Sequence, residues 1–144
     1  MSSLFSSLSV SASGMAAQRE RAALLVENIA NAETTRTPEG GPYRRKDAVF
    51  SSTAIGGDFA SALDQQMQTG VTVSQISVDQ RPPEKQYLPG HPDADADGYV
   101  SVPRMNPAED MVDLTSANRS YQANVAAIST VKDMIQKSID LLRT

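Results

Sequence analysis

PAEDMVDLTSANRSYQANVAAISTVKDMIQKSIDLLRT, residues Pro107 to Thr144, is the stretch on which the fold turns. Counting alternately three and four from Met111 gives Leu114, Asn118, Tyr121, Val125, Ile128, Lys132, Ile135, Ile139 and Leu142, and eight of these ten positions are apolar or aromatic. A mean step of about 3.5 residues is the seam of a helix that winds against another helix. Neither Pro nor Gly interrupts it after Pro107, whose missing N–H costs nothing at the first helical position. At 1.5 Å per residue such a helix is roughly 54 Å long, more than the core of one small domain can cover. It calls for a partner along its length.

The other end of the chain offers that partner. The same step from Phe5 gives Leu8, Ala12, Met15, Arg19, Ala22, Val26 and Ile29, a seam broken by Arg19. Two matching seams predict a mainly α protein whose long terminal helices pair as an antiparallel coiled-coil hairpin, both termini at one end and the middle pushed out at the other. If the middle leaves near Asn31 and returns near Asp110, facing residues have numbers summing to roughly 140, which sets Arg19 beside Asn118 and Tyr121. Ordinary core helices of a globular bundle are the alternative. Gly14 inside the first helix points to close packing against a neighbour or to a bend, with a merely tolerated Gly the equal alternative.

Composition draws the boundaries. All eight prolines fall between Pro38 and Pro107, and seven of the eight glycines between Gly40 and Gly98, so breakers are confined to the middle. We expect an N-terminal helical segment over 1–34, a Pro/Gly-rich extended and β-hairpin lobe over 35–106, and a C-terminal helical segment over 107–144. Aromatics are 5% with no Trp, thin for a compact core, so helix pairing should bury most of the apolar surface. With no cysteine, neither disulfides nor thiolate metal sites are possible. A net charge of −4 argues against nucleic acid as the main partner. No apolar run approaches the length of a membrane span, and no cleavable signal peptide is visible.

Within the middle, Tyr43 to Phe50 reads as a strand that splits Arg44-Arg45-Lys46 over two faces, as a solvated or interface strand would. Asp58 can cap a short helix carrying Phe59, Leu63 and Met67 and ended by Gly70. Val71 and Val73 alternate, then Ile76 and Val78 resume out of phase, the signature of a bulged strand. Lys85 to Leu88 and Tyr99 to Val102 are two further extended pieces. Together they make a small, irregular β-rich lobe.

Candidate chemistry is sparse. Asp93-Ala94-Asp95-Ala96-Asp97-Gly98 matches the first half of an EF-hand loop, but Arg104 stands where the final carboxylate belongs. An acidic turn that faces solvent or a neighbouring subunit's basic residue is the better reading. His91 has no companion for a metal or a nucleophile pair. We expect no catalytic residue, no cofactor and no metal site.

Several motifs resemble a known family. Asn28-Ile29-Ala30-Asn31-Ala32 followed by Thr34 is similar to the asparagine-rich signature of bacterial flagellar axial proteins, the rod, hook and hook-associated subunits. Thr35-Arg36-Thr37-Pro38-Glu39-Gly40-Gly41-Pro42-Tyr43-Arg44-Arg45-Lys46, then Pro89-Gly90-His91-Pro92-Asp93-Ala94-Asp95 and Gly98-Tyr99-Val100, resemble its rod members. Asn118-Arg119-Ser120-Tyr121-Gln122-Ala123-Asn124 is similar to the family's C-terminal Arg-x-Tyr-Glu-Ala-Asn stretch, with Gln122 in place of Glu.

The resemblance implies a non-enzymatic structural subunit of the proximal rod, stacking helically in the flagellar basal body into a drive shaft that transmits torque. Its partners would be copies of itself, other rod proteins, and membrane-ring and export-gate components at the rod base. It would reach the periplasm through the flagellar type III export apparatus, without a cleaved signal and without spanning the membrane. The residues expected at assembly contacts are Asn28, Ile29, Ala30, Asn31, Thr34, Pro38, Gly40, Gly41, Pro42, Tyr43, Arg44, Arg45, Asn118, Arg119, Tyr121 and Asn124. The helix seams would be Phe5, Leu8, Met15 and Val26 against Met111, Leu114, Val125, Ile128, Ile135, Ile139 and Leu142. A coiled-coil adaptor, or a needle-like subunit of a non-flagellar type III system, is the alternative. Because neither helix has a thick apolar face, residues 1 to about 31 and about 108 to 144 are expected to order only in an assembly.

Overall fold

The computed structural model describes residues 2–54 and 69–142, with side chains from Leu4 to Ala54 and Thr69 to Leu141. In chain order the elements are α1 (Ser2–Ala30), β1 (Lys46–Ala54), β2 (Thr69–Val78), β3 (Glu84–Tyr87), β4 (Tyr99–Val102) and α2 (Pro107–Leu142). The short helix expected around Phe59 to Met67 lies outside the described residues, and Gly70 stands within β2.

Local chemistry sets the helix ends. The Asn106 side-chain oxygen accepts the Ala108 N–H at 3.1 Å, and its carbonyl accepts from Glu109 and Asp110 at 3.1 and 3.2 Å. Asn106 is therefore the N-cap and Pro107 the first helical residue, with Glu109 and Asp110 favouring the positive end of the helix dipole. At the end of α1, Asn31 closes the last turn on itself: its N–H and its side-chain amide both donate to the Glu27 carbonyl, at 3.1 and 2.9 Å.

α1 and α2 lie against each other with their numbering running in opposite directions. Arg21 Nη2 meets Asp113 Oδ1 at 3.4 Å, and Gly14 sits against Asn124, where an added Cβ would come within 3.0 Å of the amide nitrogen. Of the readings of Gly14, close approach is the one seen. The register matches the one expected. Among the described residues Arg19 is not stacked on Tyr121: Arg19 and Asn118 are both exposed, and a cation lies over a ring at Lys46 instead, 5.7 Å from the Tyr43 centroid.

The seam itself is rotated. On α2, Leu114, Ile128 and Ile135 are half-buried as expected, whereas Met111, Val125 and Ile139 are exposed. The column between them is filled by Asp110, Ala117, Asn124 and Val131, one residue earlier. On α1, Leu8 and Met15 are half-buried, but Phe5 and Val26 are more than half exposed, and Leu4, Ser11, Gln18 and Leu25 turn inward instead. Small residues stand on the inward faces: Gly14 lies against Asn124, and Ala17 and Ala117 are buried, while bulky Phe5, Val26, Met111, Val125 and Ile139 are exposed. Leu142 lies in the helix, but its side chain is outside the described residues.

β1 and β2 pair antiparallel from Lys46↔Val78 to Ala54↔Thr69. The register slips between Val49↔Gln75 and Phe50↔Val73, leaving Ser74 as the extra residue, and its hydroxyl donates to the Val49 carbonyl at 3.1 Å. That is the expected bulge. The strand read as Tyr43 to Phe50 begins at Lys46 and continues to Ala54. The hairpin does not simply project from the far end of the helix pair. It folds back along α1, where the Val71 N–H donates to Ser13 Oγ at 3.1 Å and Leu24, Leu25, Ala48 and Phe50 line one groove. The reason is at its base, where an α1 side chain binds the first residue of β1.

β3 and β4 form a second, short antiparallel pair, Glu84↔Val102 to Tyr87↔Tyr99. The two tyrosine rings meet edge to face at 5.3 Å, and Gly98, at φ +82°, sits too close to Tyr87 to carry a side chain. Fully buried Val100 anchors this pair. Among the described residues the buried apolar side chains include Ala17, Leu25, Tyr43, Val100 and Ala117.

Candidate functional site

The best-formed polar cluster lies where the end of α1, the loop after it, β1 and the start of α2 converge. Asn28, on the inward face of α1, has no exposed surface. Its Nδ2 donates to the Lys46 carbonyl at 2.9 Å, and its Oδ1 accepts from the Lys46 N–H at 3.0 Å and the Tyr43 hydroxyl at 2.9 Å. One amide thus takes the place of a strand neighbour on the edge of Lys46 away from β2 and satisfies a buried phenol. Around it, Lys46 Nζ pairs with Glu27. Burial, with the Glu27 carboxylate adding to it, pushes the Tyr43 phenol up to about 12.

Asp110 completes the junction from the α2 side, 1% exposed. Arg45 Nη2 lies 2.9 Å from Asp110 Oδ1, yet neither carboxylate oxygen has an aligned donor. The guanidinium supplies Coulomb attraction off the hydrogen-bond line. Burial raises the Asp110 carboxyl above the usual aspartate range, and the Arg45 charge opposes this without reversing it. Arg45 also reaches Asp47 at 3.3 Å.

The loop between α1 and β1 is pinned from within. Thr34 Oγ1 donates to Asn31 Oδ1 at 3.2 Å, the Tyr43 N–H to the Thr34 carbonyl at 3.0 Å, and the Thr37 N–H to the Gly41 carbonyl at 2.8 Å. Gly40 and Gly41 both take positive φ, 89° and 79°, which closes the Thr37-Pro38-Glu39-Gly40-Gly41 turn ahead of Pro42. The acidic turn joins the same loop: Asp93 accepts from Thr35 Oγ1 at 2.8 Å and pairs with Arg36 at 2.9 Å. Asp95 Oδ1 accepts the Asp97 and Tyr99 N–H groups at 3.1 and 2.8 Å. Two of the three carboxylates are therefore committed to holding the turn and docking it on the α1–β1 loop.

The structure brings together Asn28, Asn31, Thr34, Pro42, Tyr43 and Arg45, with Ile29 half-buried and Ala30 exposed on the last turn of α1. Arg44 points away, to the Asp79 carbonyl at 3.3 Å. Asn118, Arg119 and Tyr121 are elsewhere, exposed along the middle of α2, and Asn124 packs on Gly14. The two family-like motifs do not form one site. Sequence reasoning missed Asp110, Lys46 and Glu27. Their only signal was charge balance, three consecutive cations at Arg44 to Lys46 against acids near the ends of both helices. Among the described residues, no helix is long and apolar enough to cross a membrane.

A family model described as the C-terminal part of the flagellar basal body rod FlgEFG proteins matches residues 96–141, from β4 into most of α2. Over nearly the full length, the chain is 40% identical to the flagellar basal-body rod protein FlgC of Borreliella burgdorferi, covering 97% of this chain and 98% of that one. It is 42% identical to the protein of the same name from Bacillus subtilis, over 95% and 97% of the two chains. The Salmonella typhimurium protein of that name is 39% identical over 92% of each. On this near-complete match, the chain belongs to the FlgC family of flagellar basal-body rod proteins.

Proposed function

We propose that this chain is a structural, non-enzymatic subunit of the proximal rod of the bacterial flagellar basal body, assembling helically with copies of itself and other rod proteins into the shaft that transmits torque. The observation that carries the reading is the near full-length match to proteins named as basal-body rod subunits. The surface supports it: Phe5, Val26, Met111, Val112, Val125, Met134, Ile139 and Leu141 are exposed along both helices, far more apolar surface than a helix pair leaves wet without use. On this reading residues 1–34 and 107–144 form an inner antiparallel coiled coil, and 35–106 an outer lobe. The motif residues at the junction fix the angle between them, while Asn118, Arg119 and Tyr121 are free to meet neighbours. Membrane-ring and export-gate components at the rod base, and the type III export apparatus in the periplasmic route, complete its partners.

Deletion of the gene in its own bacterium, followed by isolation of basal bodies, tests this. We expect loss of motility and rods that stop at the base, restored by the intact chain. Complete rods in the deletion strain would overturn it.

A further inference from the structure

An acidic chain has gathered an unusual share of its cations around one small cavity. Arg44, Arg45, Arg81 and Arg104, four of the thirteen basic residues, line a space of about 70 Å³ beside the Gly40–Gly41 turn. One ordered water needs about 15 Å³ of such space, so the cavity admits a small charged group but not a nucleotide.

The charges are not balanced from within. Asp79 is the one carboxylate lining the cavity, and Arg81 grips both its oxygens, Nε to each at 2.9 Å. Arg45 is turned to Asp110 and Asp47, outside the lining, and its Nε–H is buried with no acceptor. Among the described residues, Arg44 and Arg104 form no ion pair; Arg44 reaches only a carbonyl and the Gln80 amide oxygen. Two guanidinium groups, those of Arg44 and Arg104, thus line a cavity whose one carboxylate, Asp79, is already gripped by Arg81. Guanidinium groups match the planar fork of a carboxylate.

We propose that this cavity receives the carboxylate of an exposed Asp or Glu side chain from a second copy of this chain. The choice of occupant follows from charge: copies carry 17 acidic residues against 13 basic ones, so each offers surplus carboxylates to the other's basic cavity. A head-to-tail contact of this kind, donor surface differing from acceptor surface, propagates as an open helical assembly. The identity of the second copy rests on the rod reading; the cavity's taste for carboxylate does not.

The experiment has two arms. In the first, acetate and inorganic phosphate are titrated separately into the isotopically labelled full-length chain, following the Gly40 and Gly41 amides and the arginine Nε–H signals. We expect saturable shifts with acetate, weakened at least about tenfold in the Arg44→Gln/Arg104→Gln double variant, because a lost charge-assisted hydrogen bond reads on that scale. Both residues are exposed, so the fold should survive, and unchanged shifts elsewhere will verify it. Absence of saturation with acetate, or phosphate saturating about tenfold more readily, overturns the proposal, the latter in favour of a free-phosphate site. In the second arm a photo-crosslinking residue replaces Arg104 in assembled basal bodies. A crosslink to a second copy at a segment bearing Asp or Glu is expected; a crosslink only to another protein, or none, overturns the choice of occupant. If the chain is absent from basal bodies altogether, the rod reading fails, and the titration still decides the cavity.

Discussion

The two ends of the helix pair are built on different principles. At the junction end, Asn28, Tyr43 and Lys46 are hydrogen-bonded to one another inside the same chain, and the Arg45–Asp110 pair beside them is held by charge without an aligned hydrogen bond. Toward the chain termini, contact is made through Leu4, Leu8, Ser11, Ile128 and Ile135, only half-buried, while Phe5, Met134, Ile139 and Leu141 face outward. The first region is finished within one molecule; the second offers its best apolar groups to others. Ordering of the chain should therefore run from the junction outward.

Amide exchange on the free chain puts that difference to its widest test. Amides in residues 25–31, 43–48 and 110–117 should exchange about a hundredfold more slowly than those in 2–12 and 130–142, since local opening spans the range from fraying ends to the global barrier. Uniform protection along both helices would erase the contrast, and protection nowhere would mean that the junction, too, waits for assembly.

Asn28→Ala strikes the finished end. It strands the Tyr43 hydroxyl and both backbone groups of Lys46 in a buried place, and should cost about 3 kcal/mol in urea unfolding. A loss under about 1 kcal/mol would show that water replaces the amide easily. Gly14→Val tests the middle of the pair. The Asn124 amide can yield to a single methyl, but a branched side chain must push α1 and α2 apart, for a cost of about 2 kcal/mol, whereas Gly14→Ala should stay within about 1 kcal/mol of neutral because helix propensity offsets the crowding.

The alkaline limb isolates one group of the cluster. The Tyr43 pKa is raised from 10.0 to about 12, so folding favours the protonated phenol. Its contribution is whole below pH 10 and is lost as the pH rises through about 12. Ultraviolet titration should show one of the four tyrosines ionising late, and Tyr43→Phe should flatten the fall in stability over that window. The smallest effect belongs to the unfinished end: Val112→Ser, at an exposed position, should alter the free chain by less than about 0.5 kcal/mol. If that variant also assembles normally, the outward apolar side chains are not interfaces.

The sequence made the helix pair, its register and the small paired strands legible because apolar spacing and Pro/Gly punctuation speak directly to them. The bulge at Ser74 followed from the phase break between Val73 and Ile76. The orientation of the seam did not follow. Counting large apolar side chains selects Phe5, Val26, Met111 and Val125, but close helices choose Ala17, Ala117, Gly14 and Asn124, which carry no hydropathic signal. The junction was half legible: Asn28, Asn31 and Tyr43 stood in a recognisable motif, whereas Asp110 and Lys46 looked like ordinary surface charges until topology brought them together. Neither the backward course of the hairpin nor the arginine-lined cavity could be read, since each depends on segments remote in sequence.

The hairpin's attachment to α1 has a mechanical meaning. It is held at Lys46 by Asn28 and near its far end by Ser13, through the N–H of Val71, the partner of Ser52. Fifteen helical residues at 1.5 Å and six strand residues at 3.3 Å both span roughly 20 Å, so the two anchors are matched in spacing. An arm secured at one point swings; with a free end, ten degrees of play at Asn28 would sweep a nine-residue strand tip through about 5 Å. Secured at two points, it can move only with the helix that carries it, and a sideways push on the arm becomes a twist of α1 rather than a bend at its root.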